Sequence, residues 1–294
     1  MQNDNSRGAL LLALAGLVFT GEVSIVRLLG GAASDGQIVF ARASVQLIAV
    51  AAWILLRNPR LLRTGRPGLH LLRGGTSLIC WFFYYRSFQT LDLALATTLT
   101  FTTSLFVVAL AAPILKEQVG ARRWIFTLVG FGGVALASGI SDVADASFNF
   151  GIVYSLVAAL AAAALVFQNR VLARTEATPT IMFYIGLVTT AGAVPGLLDG
   201  WHPLAPSAAG MLVLAGGLGT LGMVLTVEAY RVGEVSALAP FPYLRLVFAI
   251  GAGILVFGEH PSVDVLCGAA VITGCALAVR GSEPRRRGLS SPMR

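Results

Sequence analysis

Charge is scarce in this chain. Only 12% of its 294 residues are Asp, Glu, Lys or Arg, about half the share carried by soluble domains. With 56% apolar residues and a mean hydropathy of +0.80, that scarcity excludes an ordinary soluble domain and implies a multi-span membrane protein. Cysteine is scarce too. Cys80, Cys267 and Cys275 all lie in apolar runs, which excludes a disulfide framework and a CxxC metal site. His70, His202 and His260 fall at loops or span ends, far apart in sequence, so neither a metal centre nor a cofactor is expected. No Walker A motif occurs, which excludes ATP hydrolysis by the chain itself. Acids are outnumbered by bases, 14 to 21, for a net charge of +7. In a membrane protein that excess is read through topology and not as a nucleic-acid patch.

What is present is a series of apolar runs of membrane length. Ten are expected, at roughly 8–30, 36–56, 71–90, 93–113, 121–140, 148–168, 179–199, 207–230, 236–257 and 262–280. The first resembles a signal peptide, with Arg7 ahead of it and Gly-Gly-Ala-Ala-Ser behind. It is nevertheless long enough to span and is read as an uncleaved helix. Breaks between runs are short, as at Asn58-Pro59 and Arg66-Pro67-Gly68, and leave no room for a soluble domain. With the N-terminus on one side, seventeen of the twenty-one basic residues fall on that side. The other four, Arg27, Arg42, Arg86 and Arg245, lie inside spans, and the opposite loops carry Asp35, Asp92, Asp142, Asp145, Asp199, Glu259 and Asp264. The positive-inside rule then places both termini in the cytoplasm, in the inner or plasma membrane.

The chain divides near Ser141–Asn149. A shift of 142 residues pairs Asp92 with Glu234 and Glu117 with Glu259; a shift of 143 pairs Arg27 with Arg170. Residues 1–140 and 148–281 form two five-span halves, and 282–294 a basic cytoplasmic tail. Because five is odd, the second half is expected to lie inverted relative to the first. Inverted repeats are an architecture of alternating-access carriers, with a site near the bilayer midplane.

Three stretches carry a resemblance to a known family: Phe40-Ala41-Arg42 opening the second span, Pro240-Phe-Pro-Tyr-Leu-Arg-Leu in the ninth, and Gly258-Glu259 at its end. They resemble an EamA-domain transporter of the drug/metabolite transporter superfamily, over about residues 8–280. The resemblance implies an all-α membrane protein of ten helices around a central cavity. It also implies export of small metabolites such as amino acids, amines or cationic drugs.

Several residues stand out as candidates for handling a substrate. Glu22 and Arg42 fall at about the same depth in the first two spans, within about 3 Å at 1.5 Å per residue, so they can pair and offset each other's burial. They read equally as a substrate or proton site and as a static pair. Trp81, Tyr84, Tyr85 and Phe88 share a helical face in the third span, beside Arg86. That face reads as a stacking surface for planar or cationic groups or as an interfacial belt. In the ninth span Pro240 and Pro242 remove backbone donors and break the helix entrance. Tyr243 and Arg245 follow, both expected to face the cavity. Glu228, one turn from Arg231, reads as a gate or structural charge, Glu117 and Glu259 as anchors or caps at span ends, and the glycines of the fifth and eighth spans as packing.

Four arginines against Glu22 and Glu228 inside spans favour a carboxylate-bearing or zwitterionic substrate, moved by a secondary transporter, an exporter. The alternative is an organic cation held by Glu22 and the aromatics. A channel fits two inverted halves less well, and a membrane enzyme lacks its nucleophile and base. The expected partners are the substrate and the lipid bilayer.

Overall fold

The computed structural model describes residues 4–29, 32–90, 99–137, 150–198, 201, 203–258 and 260–281, and all the regular structure among them is helical. The long helices are α1 (Asn5–Leu28), α2 (Asp35–Arg57), α3 (Pro67–Thr90), α4 (Thr103–Leu115), α5 (Ala121–Ala137), α6 (Phe150–Ala173), α7 (Thr178–Leu198), α8 (Pro206–Val232), α9 (Leu244–Phe257) and α10 (Val263–Gly281). Among the described residues, six stretches are long and apolar enough to cross a membrane: α1, 36–57, α6, 178–197, α8 and Val235–Phe257. Helix α3 matches them in length but is more polar, with His70, Arg73, Thr76, Ser77 and Tyr84 along it.

The prolines act as expected in the ninth span. A single helical turn, Val235–Leu238, is followed by a 3₁₀ turn at Phe241–Tyr243, and the α-helix proper starts only at Leu244. Two other boundaries differ from the expectation. Helix α3 begins at Pro67, favoured at a first helical position, four residues before the expected span, which sets Arg73 in its second turn. It is 2% exposed, donating through Nε to Asn169 Oδ1 at 3.0 Å and through a terminal nitrogen to Ser77 Oγ. Helix α6 runs on to Ala173 and buries Arg170, whose guanidinium donates to the carbonyls of Tyr230 at 2.5 Å and Arg231 at 2.8 Å. Asp92, Asp142, Asp145, Asp199, Glu259 and the basic tail lie outside the described residues.

The principal helix pairings form a two-fold pattern. Helix α1 packs on α8 and α3 on α6; α2 packs on α8 and α3 on α7; α1 packs on α9 and α4 on α6. Exchanging α1–α5 for α6–α10 turns each pair into the other, while α2–α7 and α5–α10 map onto themselves. Close contacts repeat as well. A Cβ on Gly216 would meet Val45 at 2.8 Å, and one on Gly74 would meet Val188 at 2.1 Å. Val188 follows Val45 by 143 residues, and Gly216 follows Gly74 by 142. Lys116 and Gly258, again 142 apart, are the two described residues with positive φ, at 56° and 65°. Each terminates its helix in the left-handed region.

Many helix ends meet at one end of the bundle. Glu117, just past α4, accepts from the backbone N–H groups of Val235 and Ser236 at 2.9 Å each and from Ser236 Oγ at 2.6 Å, capping the broken entrance of the ninth span. Arg123 at the start of α5 donates to Ser236 Oγ at 2.6 Å and pairs with Glu234. Asn5 at the start of α1 accepts from Glu234 N at 2.7 Å. Arg231 at the end of α8 donates to Glu176 O at 3.0 Å and to Thr178 Oγ1 at 2.7 Å, between α6 and α7. Glu117 is thus an anchor, as expected. Its three bonds suggest a test. Glu117→Ala leaves two N–H groups unpaired, at about 1–3 kcal/mol each. A cysteine replacing the buried Leu238 should then react at least tenfold faster with a hydrophilic maleimide, by about 1.4 kcal/mol per tenfold. An unchanged labelling rate would mean that these bonds do not hold the entrance shut.

Candidate functional site

Where α1, α2, α8 and the start of α9 meet, the structure gathers charges that the sequence scatters over more than two hundred residues. Glu22, 7% exposed, is paired with Arg42, Nε to Oε1 at 2.5 Å and a terminal nitrogen to Oε2 at 3.4 Å. One hydrogen bond and one close ion contact hold the two side chains together. Helix α8 makes the room. A Cβ on Gly219 would sit 2.7 Å from Arg42 Nε and 2.8 Å from Glu22 Oε1, and one on Gly222 would sit 2.7 Å from the Phe19 ring. Those glycines are therefore the wall of the charge pair, beyond the helix packing expected of them.

Phe19 was not legible as a site residue, being one phenylalanine among sixteen. Its ring lies 5.9 Å from the Arg42 guanidinium carbon and 5.4 Å from that of Arg245, so one π-face system serves two cations. Arg245 stands at the second residue of α9, just beyond the proline break. Its side chain keeps accessible surface although protein surrounds it, and it interacts electrostatically with Glu22, Arg42 and the Tyr84 hydroxyl. Among the described residues its guanidinium has no hydrogen bond and no ion pair within 4.0 Å. The cluster therefore holds two guanidiniums against one carboxylate, with one set of N–H donors unused. It has no enzyme-like assembly of nucleophile and base, and no group of three or more metal-ligating side chains occurs among the described residues.

This site sits between two halves that both match one family. The EamA-like transporter family matches residues 6–139 and again residues 149–280. The chain belongs to the EamA-like transporter family. Within it, this EamA protein is 27% identical to the S-adenosylmethionine uptake transporter of Rickettsia bellii over 85% of the chain and 84% of the relative. It is 26% identical to the pseudopaline exporter CntI of Pseudomonas aeruginosa over 92% and 95%, and 29% identical to the riboflavin transporter of Vibrio cholerae over 90% of each. A solved crystal structure covers 94% of the chain with a TM-score of 0.74 at 21% identity, a likeness of fold. Transport of small molecules and a multi-pass membrane location follow from the family.

The remaining candidates fall into place around this EamA site unevenly. Tyr84 joins it from α3. Arg86 is exposed, half a turn further along that helix. The side chains of Trp81, Tyr85 and Phe88 lie outside the described residues. Tyr243, expected beside the cavity, is 1% exposed and packs with Val134, Ile272 and Phe101; a Cβ on Gly130 would meet its ring at 2.8 Å. Its hydroxyl donates to Thr127 O at 3.5 Å. That placement makes it a wedge between α5 and α10. Glu228 accepts from Thr178 Oγ1 and lies 3.4 Å from Arg231, on the structural side of its two readings. Pro240 precedes the 3₁₀ turn and Pro242 lies within it, and the turn ends where α9 begins.

Proposed function

We propose that this EamA-family protein is a secondary transporter of a small metabolite bearing a carboxylate, such as an amino acid, another zwitterion or an organic anion. It works by alternating access of two inverted five-helix repeats, residues 1–140 and 148–281, with 282–294 as a cytoplasmic tail. Arg245 carries the reading: an accessible guanidinium in mid-span, with unused forked donors, matches a carboxylate in two-point geometry. Glu22 offers a counter-charge for an ammonium group or a proton, Arg42 and Phe19 hold it in position, and Tyr84 reaches the site from α3, with Trp81, Tyr85 and Arg86 proposed as further substrate contacts. The competing reading, an organic cation held by Glu22, would set a third cation beside Arg42 and Arg245 and leave the Arg245 donors without a role.

The packing supports inversion. Helix α1 begins at the end of the bundle where α6 stops, although the two occupy equivalent places in the exchange of halves. The basic connections gather at that end, which supports ten spans with both termini cytoplasmic in the inner or plasma membrane. The hydrogen-bonded network there closes it, leaving Arg245 to be reached from the opposite side. Export is the direction proposed, and transport into inside-out against right-side-out vesicles tests it, since relatives are named for both directions. A thermal-shift screen of purified protein tests the substrate class. Zwitterions and carboxylates should stabilise it and simple amines should not; the reverse pattern would replace this proposal with the cation reading.

A further inference from the structure

The connection between α2 and α3 carries four arginines in ten residues, Arg57, Arg60, Arg63 and Arg66, all exposed. At this end Arg123, Arg170 and Arg231 each bond a neighbouring helix or turn. Among the described residues, none of the four guanidiniums in the connection has a hydrogen-bond or carboxylate partner. A solvated loop would leave them mobile, but this one is held. Asn58 caps its 3₁₀ turn Pro59–Leu62. Thr180 donates to Leu61 O and Tyr184 to Leu62 O, both at 2.8 Å, and Thr64 donates to Glu176 Oε1 at 2.6 Å. Three contacts to α7 and its approach thus fix the backbone that bears the cations.

Apolar side chains flank the arginines on both sides. Leu55 and Leu56 at the end of α2 are 58% and 85% exposed, and Leu71 and Leu72 in the second turn of α3 are 67% and 57% exposed. In a multi-pass membrane protein, leucines exposed this near a span end meet acyl chains, and cations just beyond them stand at headgroup level. We propose that this connection is a binding site for an anionic phospholipid of the leaflet it faces. The phosphodiester is held by the fixed arginines and the chains lie against the leucines. The positive-inside effect explains why arginines occur on this side, and it asks nothing of how they are held. The pinned backbone and the paired leucine flanks are what a lipid site adds.

The test uses the full-length protein in nanodiscs of phosphatidylcholine, into which phosphatidylglycerol is titrated. Phosphatidylglycerol should raise the melting temperature, and native mass spectrometry should retain it in preference to phosphatidylcholine. Arg60→Gln with Arg63→Gln should weaken that preference about thirtyfold, taking about 1 kcal/mol per arginine near an anionic surface. Arg60→Lys with Arg63→Lys, which keeps the charge, should retain most of it and serves where the glutamine variant fails to fold. Equal retention of the two lipids by the wild-type protein would overturn the proposal. So would an unchanged preference in the glutamine variant, or a shift reproduced by millimolar inorganic phosphate, which would mark a soluble-anion site.

Discussion

Arg245→Lys is expected to weaken binding of carboxylate-bearing substrates by roughly ten- to a hundredfold while leaving the protein folded. The range follows from about 1.5–3 kcal/mol for a hydrogen bond to a charged group. Lysine keeps the charge and reaches the same region, but presents a point ammonium where arginine presents a planar fork. The residue is accessible and makes no hydrogen bond, so its replacement loses only the 5.4 Å approach to Phe19 and longer-range attraction to Glu22 and Tyr84. Thermal stability should therefore move little. Arg245→Met should abolish binding of the same substrates and move the melting temperature little, since the cation removed makes no hydrogen bond or close ion pair. Should Arg245→Lys bind and transport normally while Arg245→Met only lowers stability, Arg245 is a structural cation and the carboxylate reading falls.

Glu22→Gln should cut transport at least tenfold, or remove its pH dependence, in protein that still purifies as a single species. Glutamine preserves one acceptor for Arg42 but not the charge, so a proton or ammonium role is lost while the contact is partly kept. Complete loss of the partner is a harsher change. Breaking a buried pair costs about 3–5 kcal/mol, less here because Arg42 retains 28% side-chain exposure. Gly219→Ala gives an independent check, since its Cβ would stand 2.7 Å from Arg42 Nε and 2.8 Å from Glu22 Oε1. Pushing the pair apart from the α8 side should reproduce the transport defect with the carboxylate intact. Normal transport and an unchanged pH profile in both variants would reduce the pair to scaffold.

How much of this could be read in the sequence varied with the range of the signal. The Glu22–Arg42 contact followed from depth alone, because two spans joined by a short turn place equal depths side by side. The break at Pro240 and Pro242 followed from missing backbone donors. Burial of Arg73 did not, because its companions Arg57, Arg60, Arg63 and Arg66 make one basic run in which only the helix start at Pro67 separates it from the loop. Tyr243 was misdirected for a similar reason: depth says how far along a span a residue lies, not which face it takes, and its face is set by Gly130 and Ile272 on other helices. Phe19 needed the meeting of α1, α2 and α9 before its ring could be told from other apolar residues.

The turns at Lys116 and Gly258 carry a consequence of their own. They occupy the same left-handed well at corresponding helix ends, but a side chain confines lysine to a narrow part of conformational space whereas glycine crosses freely to other wells. The turn after α4, which delivers Glu117 to its three hydrogen bonds, is the stiff one; the turn after α9 is the pliant one. The two matching halves thus end corresponding helices on residues of unequal backbone freedom.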